Sequence, residues 1–252
     1  MKVLVDGQLI EYKDEGSGRV LLFLHGWGTS LGTFDRIVVH LAKEFRVIRF
    51  DFPGFGQSPK PPDDWSVRDY ARLTSNFLEK LKITELHAII GHSFGGRVVI
   101  KYFSLGYLEP KKVVLIAAAG VKPRQSLKKG LYKRAAKIGK LTTSIPVLKK
   151  AQPVLRKYLH LAAGSTDYLQ AGHMQKVFLN VINEDLLPEV SLVTQPTLLI
   201  WGKDDTETPL SDANSMLKSL NKGRLVVIPD SGHFVYTEAY DEVNKELDGF
   251  LS

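Results

Sequence analysis

The stretch Ala88–Arg97, AIIGHSFGGR, decides how the chain is read. Its apolar run stops at Gly91, a serine follows two residues later, and Gly95 and Gly96 crowd behind it. A buried strand, then Gly-x-Ser-x-Gly, then a helix is the form of a sharp turn that holds a serine hydroxyl at the carboxyl edge of a sheet. The glycines are a steric condition of that turn, because side chains have no room beside the serine. Taken alone, the same residues also read as a glycine-rich loop with an N-capping serine. The surrounding chain has to separate the two.

Outward from this stretch, short β-branched runs alternate with amphipathic ones, the pattern of a mostly parallel sheet with helices on its faces. An opening hairpin is predicted around Asp6-Gly7. Val20–His25 and Arg46–Asp51 read as the next strands, with Phe34, Ile37, Val38, Leu41 and Phe45 at helical spacing between them. Ser66 reads as an N-cap for a helix to about Leu81. Leu86–Gly91 is predicted strand, Phe94–Leu105 helix and Val113–Ala118 strand. After Gly120 the alternation breaks for about 70 residues and becomes helical. It resumes with strands over Thr197–Trp201 and Arg224–Ile228 and helices over Ser211–Leu220 and Glu238–Leu251. The expected organisation is one α/β core, residues 1–120 and 191–252, interrupted by a helical cap over 121–190.

The 252 residues are 44% hydrophobic and 24% charged, an ordinary globular balance. No apolar run approaches the roughly 18 residues that span a bilayer. Asp6 and Glu11 interrupt the first residues before a signal-type core can form, so a cytoplasmic location is expected. The chain has no cysteine, which excludes a thiol nucleophile and a thiolate metal site. Neither a metal nor a cofactor is expected. The net charge is +7, and its distribution is uneven. Residues 121–190 hold 13 Lys and Arg against 4 Asp and Glu; the rest holds 21 against 23.

A serine nucleophile needs a base. Of seven histidines, His233 stands out, in Pro229-Asp230-Ser231-Gly232-His233 directly after the last strand, where parallel sheets place their sites. His40, His87, His160 and His173 read as surface or strand-edge residues. The base in turn needs a carboxylate to orient it. Trp201-Gly202-Lys203-Asp204-Asp205 follows the preceding strand, and spacing alone leaves Asp204 and Asp205 as rivals. The N–H of Phe94, at the start of a helix, can stabilise an oxyanion. A second donor is expected from His25-Gly26-Trp27-Gly28, after the strand Val20–His25, and the Trp27 N–H is the choice, with its indole in the acyl pocket. His25, Gly26 and Gly28, with His92 beside the serine, are expected to line the substrate pocket.

Together these stretches, with Asp51-Phe52-Pro53-Gly54-Phe55-Gly56-Gln57-Ser58, resemble the α/β-hydrolase fold superfamily over nearly the whole chain. The resemblance implies a catalytic triad of Ser93, Asp205 and His233, the family pattern Trp-Gly-x-x-Asp placing the acid at Asp205. It makes Trp27 and Phe94 the oxyanion donors and the 121–190 insertion a cap over the site. It gives the Asp51 loop a structural role. Relatives with an aspartate nucleophile, the epoxide hydrolases and haloalkane dehalogenases, do not fit a serine at position 93.

The expected activity is hydrolysis of small to medium carboxylic esters through an acyl-enzyme. The alternatives are a carbon–carbon bond hydrolase of acidic ring-fission products and a carrier-protein methyl ester esterase; a non-catalytic ligand receptor is disfavoured by the filled triad. The expected partner is a small-molecule ester. Nucleic acid is not expected, since no binding motif accompanies the charge. The basic segment LKKGLYKRAAKIGKL, with Leu127, Leu131, Ile138 and Leu141 on one side, could meet a membrane surface or an acidic carrier protein. The favoured reading is an apolar face over the site with solvated lysines. A monomer or homodimer is expected.

Overall fold

The computed structural model describes residues 1–122 and 171–252. Leu127, Leu131, Ile138, Leu141 and His160, and most of the expected cap, lie outside the described residues.

The chain opens with strands β1 (Lys2–Val5) and β2 (Gln8–Glu15). Asp6 and Gly7 between them both have positive φ, 49° and 75°, the backbone of a two-residue turn whose twist matches the paired strands. Then come β3 (Val20–Leu24), α1 (Asp35–Leu41), β4 (Arg46–Phe50), α2 (Val67–Lys80), β5 (Ala88–His92), α3 (Phe94–Ser104) and β6 (Lys112–Ile116). An insertion separates β6 from β7, and its return leg holds α4 (Gln175–Asn183) and a 3-10 stretch, Leu187–Leu192. The chain closes with β7 (Thr197–Gly202), α5 (Leu210–Ser219), β8 (Gly223–Ile228), α6 (Val235–Glu238) and α7 (Tyr240–Leu251).

The eight strands form one sheet in the order β1-β2-β4-β3-β5-β6-β7-β8. β2 runs antiparallel to both β1 and β4, and every later pairing is parallel. Helices cover both faces, which is why the central strands are apolar at successive positions. Leu22, Leu24, Ile89, Leu115, Leu199 and Trp201 pack with α2, α3 and α5 on one face. Phe23, Ile90, Val114, Ile116 and Ile200 pack with α1 and α7 on the other. The start of α2 is fixed as expected: the Asp69 carboxylate accepts the N–H of Ser66 at 2.9 Å and its hydroxyl at 2.8 Å, so the helix begins with its first donors satisfied.

One element differs from the sequence reading. The final helix, expected from Glu238, begins at Tyr240, and an unexpected short helix, α6, precedes it. The two are parted at Ala239, whose φ of −125° and ψ of 57° are not helical. The first turn closes on the loop before it. The N–H groups of Thr237 and Glu238 bond to the Phe234 carbonyl, and the Glu238 carboxylate folds back onto the amides of Gly232 and Phe234. That contact belongs to the site.

Candidate active site

Ser93 stands between β5 and α3 with φ 49° and ψ −111°, a region that a residue with a side chain occupies only when its surroundings force it. Here they do. The Ser93 N–H bonds to the carbonyl of Ile116 on β6, and the Ser93 carbonyl accepts N–H groups from Gly96, Arg97 and Ala119. The flanking glycines are required by contact: a Cβ on Gly95 would overlap the Leu24 carbonyl, and one on Gly96 would overlap the Ala118 side chain. At Gly91 a Cβ would lie 2.6 Å from the Gly95 oxygen.

The loop after β3 lies directly against this turn. A Cβ on Gly26 would sit 3.4 Å from Ser93 Cβ and 2.8 Å from His92 Nδ1. Trp27 and Phe94 are therefore brought together, ring centroids 5.4 Å apart, with Phe55 at 4.8 Å from Trp27. Phe94 is the first residue of α3, so its N–H belongs to the helix end that has no intrahelical acceptor. Gly28 has a φ of 72° and sits exposed at the loop tip.

His25 follows β3 and His92 ends β5. Both side chains are buried and bonded to backbone. His25 Nδ1 donates to the Gly26 carbonyl at 2.8 Å, and its Nε2 accepts the Phe52 N–H at 3.0 Å. Burial pushes its pKa down to about 4, against the pull of that carbonyl and of Asp51. His92 Nε2 donates to the His233 carbonyl at 3.0 Å. Burial, and His233 beside it, push the His92 pKa down to about 3. Two neutral imidazoles thus brace the loops that carry Trp27 and His233. Asp51 braces the same region, accepting the Leu31 N–H at 2.7 Å and the Gln57 N–H at 2.8 Å.

His233 and Asp205 meet in the interior. His233 Nδ1 donates to Asp205 Oδ2 at 2.9 Å, and both residues are buried whereas Asp204 is exposed. The rivalry between the two aspartates is resolved by local geometry. Asp205 Oδ1 accepts the N–H groups of Glu207 and Thr208, each at 2.9 Å, and Thr208 Oγ1 donates to Oδ2 at 2.7 Å. Burial disfavours the Asp205 carboxylate, but its bond to His233, the His233 charge and the Thr208 bonds outweigh it and hold the pKa below the usual range. The Trp201 indole fixes the Thr208 carbonyl at 2.7 Å. A Cβ on Gly202 would overlap the Ser231 and Gly232 carbonyls, so this glycine lets the two loops touch.

Three residues of this arrangement escape a reading of spacing. Thr208 and Glu207 carry only the weak signal of a polar turn after an aspartate, and Glu238 carries none, since its partners are backbone amides. A fourth, Arg97, projects from α3 to donate from Nη1 to the carbonyls of Val181 and Glu184, at 3.1 and 2.8 Å. Lys101, one turn on, reaches Glu184 at 2.7 Å and Glu189 at 2.6 Å. These contacts fasten the return leg of the insertion to the helix behind Ser93. Phe178 of α4 meets Trp27 at 5.1 Å. His173 is exposed.

A strained serine at a strand end, a buried histidine–carboxylate pair on two later strand ends and a glycine-lined loop opposite define a hydrolase of the α/β fold. The chain belongs to that family: the sequence profile of the alpha/beta hydrolase fold matches residues 19–240. It is similar to the AB hydrolase superfamily protein YisY of Bacillus subtilis, with 28% identity covering 94% of this chain and 93% of that one. It is also similar to the pimeloyl-[acyl-carrier protein] methyl ester esterase of Nitrosomonas europaea, 27% identical over 89% of this chain and 92% of that one. Among solved structures, an esterase from Exiguobacterium antarcticum superposes with a TM-score of 0.76, at 24% identity, over 99% of this chain and 98% of that one. That last likeness is one of fold.

Proposed function

We propose that this chain is a serine hydrolase of carboxylic esters working through an acyl-enzyme, with Ser93 as nucleophile, His233 as general base and acid, and Asp205 orienting the imidazole. The observation that carries this reading is the buried His233–Asp205 bond of 2.9 Å, which fixes the proton on Nδ1 and so presents Nε2 as the basic nitrogen. Ser93 Oγ gives its proton to Nε2 as it bonds to the acyl carbon, and the oxyanion is held by the N–H groups of Phe94 and Trp27. The tetrahedral adduct expels the alcohol, which takes the proton from His233. Water then attacks the acyl-serine with the same base. Each oxyanion donor is worth about 3 kcal/mol in such reactions. The contact of Phe178 with Trp27 supports the further proposal that the insertion caps the site and shapes the acyl pocket.

A p-nitrophenyl ester series from acetate to octanoate, assayed with the wild type and Ser93→Ala, tests the proposal. Turnover by the wild type and its loss in the variant are expected; equal turnover by both removes it. A ring-fission product in the same panel tests the carbon–carbon reading.

A second reading has its own support. The 121–190 segment carries 13 basic against 4 acidic residues, and one relative is an esterase of carrier-protein methyl esters. An acidic acyl carrier protein would dock there by charge. Binding that strengthens as salt falls is its signature, and no binding at low salt ends it.

A further inference from the structure

The loop that carries Asp205 presents a second carboxylate to the same ring. Glu207 Oε2 lies 3.4 Å from His233 Nε2, on the opposite edge of the imidazole from Asp205. The turn around Asp205 produces this, since Oδ1 takes the amides of Glu207 and Thr208 and folds the chain back toward the ring. Three other titratable groups lie close to His233 or to its loop. His92, from the end of β5, has its ring 4.9 Å away and its Nε2 on the His233 carbonyl. Tyr236, from α6, packs on His92 and shares a hydrogen bond with Thr33. Glu238, also from α6, holds the amides on either side of the histidine.

An imidazole flanked by carboxylates at both nitrogens donates to both only as imidazolium. Nε2 is the nitrogen that must be unprotonated to accept the Ser93 proton. A carboxylate beside it favours the form that cannot act as base. We propose that Glu207 is a positioning residue of the base: its carboxylate holds protonated His233 at Nε2, sets the acid limb of turnover, and gives way to Ser93 as the base loses that proton to solvent. This inference rests on the ester-hydrolase reading. The Glu207 side chain is 54% exposed against 7% for His233, so solvent screens the pair and the effect is modest.

The test compares wild type, Glu207→Gln and Glu207→Ala. It measures kcat/KM on a neutral p-nitrophenyl ester between about pH 5 and 9, alongside an NMR titration of the His233 ring. The acid limb should fall by about half to one pH unit in both variants. The variants would then keep roughly three- to tenfold more of their plateau activity well below the limb. The NMR midpoint should move the same way. A limb and midpoint that stay in place overturn the proposal, and so does a lowered plateau with an unmoved limb, the mark of a merely structural residue. If the wild type cleaves no ester, the ester-hydrolase reading fails separately, and the NMR midpoint still decides whether Glu207 acts on His233.

Discussion

His233 Nδ1 and Asp205 Oδ2 meet at 2.9 Å across 28 residues of chain, and the Thr208 hydroxyl bonds the same carboxylate oxygen at 2.7 Å. The pair sets a tautomer as much as a distance. Asp205→Asn keeps the shape but offers an amide where an acceptor is needed, so kcat should fall by about 10³- to 10⁴-fold with little change in KM. Thr208→Val removes one supporting bond and should cost about tenfold or less. Steady-state kinetics on one ester separates the two.

Ser93 is held in its backbone conformation at the expense of stability. Replacing it with glycine, which tolerates φ of 49°, should abolish turnover yet raise the free energy of unfolding by about 1–2 kcal/mol. Guanidinium unfolding measures this. Gly95→Ala should do the reverse, because its Cβ would collide with the Leu24 carbonyl; a loss above about 2 kcal/mol, or failure to fold, is expected.

Acid should unfold the protein through its buried histidines. In the unfolded chain His25 and His92 titrate near 6.5; in the fold burial lowers them to about 4 and about 3. Below the unfolded value the unfolded chain binds protons that the native state refuses, so stability falls as pH falls. Each group contributes a slope of about 1.4 kcal/mol per pH unit, His25 down to about pH 4 and His92 to about pH 3. Their stabilising effect is fully present only above about 6.5. Denaturant unfolding at a series of pH values should show a slope approaching two protons in that window.

Arg97 is a buried cation whose partners are the carbonyls of Val181 and Glu184. Burial draws its pKa down to about 10, with Glu184 and Asp185 opposing. Arg97→Ala leaves those carbonyls without their donor and should cost about 3 kcal/mol. Hydrogen exchange should rise first in residues 181–192, the stretch that Arg97 and Lys101 fasten down. Unchanged exchange there would show that α4 is held by its apolar contacts alone.

Much of this site can be read from residue order, and the reason is physical. Gly91, Gly95 and Gly202 mark backbones that approach other backbones, and β-branched runs such as Val113–Ile116 mark strands covered on both faces. Those demands are local, so they leave local traces. The choice between Asp204 and Asp205 is different, because adjacent side chains point apart. Spacing leaves them rivals, the family resemblance picks Asp205, and the folded turn shows Asp205 entering the interior. Thr208 supports Asp205 within its own turn and leaves only the weak trace of a polar turn. The carboxylates of Glu207 and Glu238 act on the His233 loop, and nothing in their neighbours along the chain announces it. His25 and His92 sit beside glycines in the motifs and read as pocket residues, yet both ring nitrogens of His25 and Nε2 of His92 are engaged by the backbone of the loops they brace. The short helix α6 escapes for a similar reason, since its Glu238 carboxylate bonds amides of the His233 loop that precedes it.

The central claim is that Ser93 is the nucleophile, and active-site labelling tests it most directly. The protein would be inactivated with a fluorophosphonate ester and the adduct located by peptide mass spectrometry. The account predicts one label per chain, on the Ser93 peptide, with loss of ester hydrolysis in proportion and no label on Ser93→Ala. A label on another residue, or full ester hydrolysis with Ser93 unmodified, would contradict it.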